Sequence, residues 1–170
     1  TPKQEQTAQW LRPRTEKNVK QHMAFLQAYL DKPDELRQVL EFFKTLPLWL
    51  DLGDIRVVHA CWSQKVMTRL TAQHQASHLS NKLLALASRK GTQEHQDLEL
   101  LLKGKELPLN NASFFDKDGT ERNEIRVRWW DTAAVTYQQA YLGPESARTS
   151  IPDDDTHGAH LIEYSHDAPP

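Results

Sequence analysis

Apolar residues recur at helical spacing near the start of the chain. They form one stripe over residues 16–30 and a second over 34–46, and residues 1–13 before them are polar enough to predict a loop. Intervals of three and four residues place side chains on one face of an α-helix, so each stripe predicts an amphipathic helix. Asp34 is expected to cap the second helix and Pro47 to end it.

Alternation replaces helical spacing between residues 46 and 62. The stretch reads LPLWLDLGDIRVVHACW, two apolar runs that meet at Gly53. We interpret them as a pair of strands, in which Ile55, Val57 and His59 share one face. A buried strand would then carry His59 at its carboxyl end, where open α/β folds place ligand-binding groups.

Residues 63–104 are rich in leucine and predict two or three helices. Gly91 and Thr92 form a stop and N-cap pair, and Gly104 is a suitable terminator. No strict heptad continues across Gly91, so a coiled coil is not favoured. A helical insertion over an enzyme's substrate cleft is the preferred interpretation.

The second half predicts strands with a helix between them. Residues 116–119 predict a tight turn between short strands, and the alternation over 124–130 predicts a strand. Thr132 is expected to cap a helix that runs to Leu142 and is followed by a loop over 143–158. A last strand is expected at 161–164.

Composition narrows the class of protein. A chain of 170 residues fits one domain, and a net charge of −2 with mixed signs carries no DNA-binding signature. No apolar run approaches the roughly 18 residues of a membrane span, and no signal peptide is visible. The lone Cys61 excludes an internal disulfide and indicates a cytoplasmic protein.

The run Val57-Val58-His59-Ala60 resembles the Val-His-Ala-Gly strand of the calcineurin-like metallophosphoesterases, which include Ser/Thr protein phosphatases and diadenosine tetraphosphatases. Segments 101–106, 114–119 and 126–130 resemble segments of a bacterial subgroup of these phosphoesterases, and they occur in the same order along the chain. The resemblance implies an α/β fold, in which residues 1–170 form a single partial metallophosphoesterase domain. That domain would be a partial β-sandwich flanked by helices, with 63–104 as a mainly helical insertion.

The family histidine of this strand binds one of two metals, so the resemblance implies that His59 is a metal ligand. Two divalent ions of the Mn, Fe or Zn class are implied for the intact parent. The substrate would be a phosphorylated protein, a dinucleoside polyphosphate or another phosphoester, hydrolysed without a covalent intermediate.

Arg128 and Trp130 are the candidate substrate-binding residues. Arginine suits bidentate phosphate recognition, and adjacent tryptophans cannot both face one core. The alternative is a purely structural strand, with Trp129 in the core, Trp130 over a helix and the arginines in solvent. No catalytic residue is assigned.

The other metal motifs of the family, Gly-Asp-x-His, Gly-Asp-x-x-Asp-Arg-Gly, Gly-Asn-His-Glu and a terminal Gly-His, are absent from the sequence. We therefore interpret the chain as the central part of a phosphoesterase, inactive alone and without stably bound metal. Self-association through unpaired sheet edges is expected of such a part. The alternatives are a non-catalytic helical protein-interaction module and a pseudo-phosphatase.

Three further patterns have simpler interpretations. Cys61 beside His59 suggests a nucleophile pair, but an inert buried thiol is favoured. The histidines of 157–166 beside the acids of 153–155 suggest a metal site, but a solvated loop is favoured. Asp116 and Asp118 imitate the start of a calcium loop, yet turn chemistry explains both.

Overall fold

The computed structural model describes residues 14–75, 77–116 and 119–159, which form a mixed α/β structure with small sheets. The elements in chain order are α1 (Glu16–Ala28), α2 (Pro33–Thr45), β1 (Trp49–Asp51), β2 (Arg56–Val58), α3 (Gln64–His74), α4 (Asn81–Ala87), α5 (Gln93–Lys103), β3 (Glu106–Pro108), β4 (Phe114–Phe115), β5 (Glu121–Arg122), β6 (Glu124–Arg126), α6 (Tyr137–Ala140) and α7 (Glu145–Arg148).

Helices α1 and α2 confirm the two amphipathic stripes. The predicted cap at Asp34 is wrong, because α2 begins at Pro33 and Lys32 occupies the N-cap position without a side-chain cap. Proline suits the first helical position, since its missing N–H would have no partner there. Asp34 instead lies in the first turn, where its charge favours the helix dipole.

Strands β1 and β2 confirm the hairpin predicted around Gly53. They pair antiparallel with Trp49 opposite Val58 and Leu50 opposite Val57, and Gly53 has a φ of 86°. Trp49 and Val58 pack on the neighbouring helices, whereas Ile55 is 61% exposed and His59 is exposed too. The expected burial of the Ile55, Val57 and His59 face is therefore wrong, because only the opposite face of this two-stranded sheet reaches a core.

Helices α3, α4 and α5 confirm the prediction for 63–104. Ser63, Ser80 and Thr92 cap them, each accepting a hydrogen bond from the backbone N–H three residues on. Gly104 caps the end of α5 with a φ of 98°. We call the buried cluster around these helices the helical core; its members are Leu48, Trp62, Val66, Met67, Leu70, Leu83, Ala87, Leu98 and Leu101.

A second cluster, the C-terminal core, lies among β3, β4, β6, α6 and α7. Its members are Leu107, Leu109, Phe114, Ile125, Val127, Ala134, Tyr137, Ala140, Tyr141, Ala147 and Ile151. Strand β3 pairs antiparallel with β6, and β4 with β5. Strands β4 and β5 confirm the strands that flank the 116–119 turn, of which residues 117–118 lie outside the described ranges.

Three predictions for the second half need correction. The strand expected over 124–130 ends at Arg126, after which Val127 makes only an isolated bridge to Tyr141. The helix expected over 132–142 is limited to α6, because Thr136 and Gln139 form a capping box that starts it late. Helix α7 interrupts the loop expected over 143–158.

The sheets within these ranges are three separate two-stranded pairs: β1 with β2, β3 with β6, and β4 with β5. A sandwich of larger sheets is not present among the described residues. The predicted loop over 1–13 and the predicted strand over 161–164 lie outside them.

Candidate functional site

His59 lies just beyond β2, on the exposed face of the hairpin. Its Nδ1 atom is 2.6 Å from the carbonyl oxygen of Leu102, near the end of α5. A carbonyl oxygen only accepts, so Nδ1–H donates to it, which leaves Nε2 as the nitrogen that could bind a metal. No hydrogen-bond or ion-pair partner of Nε2 occurs among the described residues.

The same kind of carbonyl contact occurs elsewhere. His22 Nδ1 is 2.9 Å from the Asn18 carbonyl oxygen within α1, and His95 Nδ1 is 2.8 Å from that of Ala87. The contact orients a ring without by itself making it a ligand. What distinguishes His59 is its position, at a strand end where two segments distant in sequence meet.

An apolar groove of about 540 Å³ borders His59. Phe43, Leu46, Leu50 and Leu102 are among its lining residues. A groove with apolar walls and a single polar group at its rim resembles a binding site in composition.

Trp129 joins the two halves of the predicted site. Its indole Nε1–H donates to the carbonyl oxygen of Ala60 at 2.9 Å. Ala60 follows His59, and Trp129 lies between Arg128 and Trp130. The structure therefore places the segment with both candidate substrate-binding residues against the segment with the candidate metal ligand.

Arg128 is engaged in structural contacts. Its Nη2 atom donates to the Gln139 carbonyl oxygen and forms an ion pair with Asp131 at 3.3 Å. Its Nε atom is buried and has no hydrogen-bond partner among the described residues. These contacts hold the chain after β6 against α6, so phosphate binding would compete with Asp131 for the guanidinium group.

Trp130 is the more accessible candidate. It is 52% exposed and stands edge-on to Trp129, with ring centroids 5.5 Å apart. Trp129 itself is half-buried against the helical core. One ring therefore faces the core and the other faces solvent, as expected for two adjacent tryptophans that cannot both face one core.

Cys61 is fully buried, and desolvation raises the pKa of its thiol to about 12, although the positive charge of Lys105 opposes the shift. A thiol that stays protonated at neutral pH is a poor nucleophile. The geometry agrees with the inert thiol rather than with a Cys-His pair.

The remaining patterns form no site among the residues that the structure describes. The backbone N–H of His157 donates to Asp155 at 2.7 Å in an exposed turn, and His160 and His166 lie outside the described ranges. Asp116 accepts from the Thr120 N–H at 2.9 Å and pairs with Arg122, as turn chemistry predicts. Within the described ranges, no group of three or more His, Cys, Asp or Glu side chains is arranged to hold a metal ion.

Sequence reasoning missed Trp129 as the connecting residue and Arg56 and Trp62 as a contacting pair. The Arg56 guanidinium carbon lies 4.9 Å from the centroid of the Trp62 ring, and Asp51 pairs with Arg56 at 3.2 Å. The sequence carried a signal for the Asp51–Arg56 ion pair, because an antiparallel hairpin around Gly53 places Asp51 opposite Arg56.

No family model, curated protein or solved structure matches the chain. None of the helices in the described ranges combines the length and hydropathy needed to span a bilayer.

Proposed function

We propose that the chain is the central part of a dinuclear-metal-dependent phosphoesterase that hydrolyses phosphomonoester or phosphoanhydride bonds. Its fold would then be part of a metallophosphoesterase β-sandwich. The observation that carries the proposal is the contact of His59 Nδ1 with the Leu102 carbonyl at 2.6 Å. Histidines that bind metal through one nitrogen usually donate the other N–H to a carbonyl or carboxylate.

In this proposal His59 supplies a single ligand to one of the two metal ions. Two ions about 4 Å apart need several converging ligands, a set that the described residues do not contain. In this proposal the others come from further segments of a longer protein, and the chain alone is inactive and binds metal weakly. Divalent ions of the Mn, Fe or Zn class would supply electrostatic stabilisation of the phosphoryl group.

The other predicted residues take supporting roles. Trp130 would contact the substrate at the edge of the site through its exposed ring. Arg128 would position that edge through Asp131 and Gln139. The substrate class remains a phosphorylated protein, a dinucleoside polyphosphate or another phosphoester.

The test is a titration of the ¹⁵N-labelled chain with Mn²⁺, followed by NMR of the histidine rings. Paramagnetic Mn²⁺ should broaden the His59 Nε2 resonance at lower concentration than those of the other histidines, because the proposal makes only this ring a metal ligand. His22→Gln is the matched control, since His22 is also exposed and also contacts a carbonyl. Equal broadening of His22 and His59 would contradict the assignment.

A second measurement uses the protein encoded by the complete gene. His59→Ala should lower metal content and reduce phosphoesterase turnover by about a hundredfold or more, because a direct ligand matters at least as much as its supporting groups. His22→Ala should leave both near wild type. Unchanged turnover and metal content in His59→Ala would overturn the proposal.

An apolar surface on α1, α2 and the β1–β2 hairpin favours a second candidate function, that of a non-catalytic helical protein-interaction module. Neither α1 nor α2 buries a residue. The exposed apolar side chains include Met23, Phe25, Leu26, Leu30, Leu40, Phe42, Phe43, Leu46, Leu50, Leu52, Ile55 and Val57. Surfaces of this kind mark interaction sites.

Light scattering and thermal melting of the isolated chain separate the two candidates. A defined oligomer or monomer with one cooperative transition favours the module or a pseudo-phosphatase. A broad transition with open-ended association favours the central part of an enzyme, whose sheet edges lack their neighbours.

A further inference from the structure

The backbone that follows His59 is held by two distant parts of the chain. The N–H group of Ala60 donates to the Leu101 carbonyl oxygen at 3.0 Å, and the carbonyl oxygen of Ala60 accepts from Trp129 Nε1 at 2.9 Å. One bond comes from α5 and the other from the indole ring. Because each peptide unit is planar, the two bonds orient both peptide planes next to Ala60.

The ring of His59 is oriented by the same end of α5. The bond to Leu101 holds the peptide plane between His59 and Ala60. His59 Nδ1 donates to the next carbonyl along the helix, that of Leu102, at 2.6 Å. The last carbonyl groups of an α-helix lack partners within the helix, so they accept bonds from other segments. The ring keeps its contact only while the segment after β2 stays against this helix end.

Trp129 is the part of this arrangement that comes from outside the hairpin and α5. Its ring packs against the helical core, and its backbone N–H donates to the Val127 carbonyl oxygen at 3.0 Å. Val127 is fully buried in the C-terminal core. The ring and the backbone of Trp129 are therefore both held, which gives its N–H group a fixed position from which to bind Ala60.

We propose that Trp129 is a positioning residue for His59. By holding Ala60, its indole N–H keeps the His59 ring in contact with the Leu102 carbonyl. Removal of a group that supports a metal-binding histidine typically lowers metal affinity about ten- to a hundredfold. The role in metal binding rests on the proposed function, whereas the orientation of the ring does not and is measured without metal.

The first measurement reads the ring nitrogens of His59 by NMR of the ¹⁵N-labelled chain at pH 8, where imidazole groups are ordinarily neutral. A neutral ring that donates through Nδ1 gives one resonance typical of a protonated nitrogen and one typical of an unprotonated nitrogen. Trp129→Phe should move the two resonances towards each other, because a ring that leaves the Leu102 carbonyl exchanges between both tautomers.

Two controls separate this effect from a general loosening of the core. Trp130→Phe makes the same change in the adjacent, exposed ring and should leave the His59 resonances as in wild type. His95 Nδ1 lies 2.8 Å from the carbonyl oxygen of Ala87, a member of the helical core, so the His95 resonances should stay in place in Trp129→Phe.

A second replacement keeps the test decisive if Trp129→Phe does not fold. An isosteric analogue, 3-benzothienylalanine, at position 129 keeps the shape of the ring system and has sulfur in place of the N–H donor. It should change the His59 resonances in the same direction.

The second measurement is the Mn²⁺ titration of the same proteins. Half-broadening of the His59 Nε2 resonance should need about tenfold more Mn²⁺ in Trp129→Phe than in wild type. An unchanged requirement would contradict the role in metal binding. Ring resonances of His59 that coincide in wild type and in a folded variant at position 129 would contradict the positioning role, as would an equal shift of His95. Equal broadening of all histidines in wild type would instead contradict the proposed function, while the metal-free measurement still decides the positioning role.

Discussion

At the scale of single residues, Cys61 shows how burial controls chemistry next to the candidate ligand. The residue is fully buried, and desolvation raises the pKa of its thiol from 9.0 to about 12. An unfolded chain would release this proton near the ordinary value. The thiol therefore contributes stability that is complete below about pH 9 and is lost as the pH rises towards 12.

We expect the free energy of unfolding of wild type to fall more steeply between about pH 8.5 and pH 11 than that of Cys61→Ala, because only wild type must ionise a buried thiol. Urea unfolding at several pH values measures the difference. Lysine and tyrosine residues titrate in both proteins, so their contributions cancel in the difference between the two free energies of unfolding. Parallel pH profiles would show that the thiol is solvated in the folded state.

At the scale of elements, a partly buried ion pair between Arg69 and Asp97 joins α3 to α5. Arg69 donates to both carboxylate oxygens of Asp97, which is buried, and Gln93 donates to the same carboxylate at 3.0 Å. The hydrogen bond to Asp97 raises the pKa of Arg69, so the guanidinium stays charged. Removal of one partner from such a pair leaves the other charge uncompensated.

Asp97→Ala is expected to destabilise the chain by about 3–5 kcal/mol, because Arg69 and Gln93 lose a buried acceptor. Glu99→Ala on the same helix is the control. Its partner Lys103 is one turn away and both side chains are exposed, so the loss should stay below about 1 kcal/mol. Urea unfolding of both variants measures the difference, and similar losses would show that the Asp97 pair is as solvated as the surface pair.

At the scale of the whole molecule, burial is unevenly distributed. Helices α3, α4 and α5 contribute fully buried leucines to the helical core, whereas α1 and α2 bury no residue. Local opening of a segment costs little free energy where few apolar contacts are lost.

We therefore expect backbone amides of α1 and α2 to exchange with deuterium at least about tenfold faster than those of α3 and α5 in the isolated chain. Mass spectrometry of peptic fragments resolves the four helices. Association through the apolar surface of α1 and α2 should slow their exchange as concentration rises, so dilution provides the control. Equal protection at all dilutions would contradict this distribution of stability.

Local signals in the sequence determined where many elements lie. The stripes over 16–46 predicted α1 and α2, and Thr92 and Gly104 predicted the limits of α5. Gly53 predicted the hairpin turn because its φ of 86° is readily adopted by glycine. Each of these depends on neighbours within a few residues, which is why the sequence alone carries them.

Tertiary structure decided what the elements face. The face of the hairpin that carries His59 is exposed because the helical core covers the other side, and a pattern of alternation cannot tell the two apart. The contact of His59 with Leu102 spans 43 residues. The hydrogen bond from Trp129 to Ala60 spans 69 residues, and it joins the segment that carries Arg128 and Trp130 to the segment that carries His59.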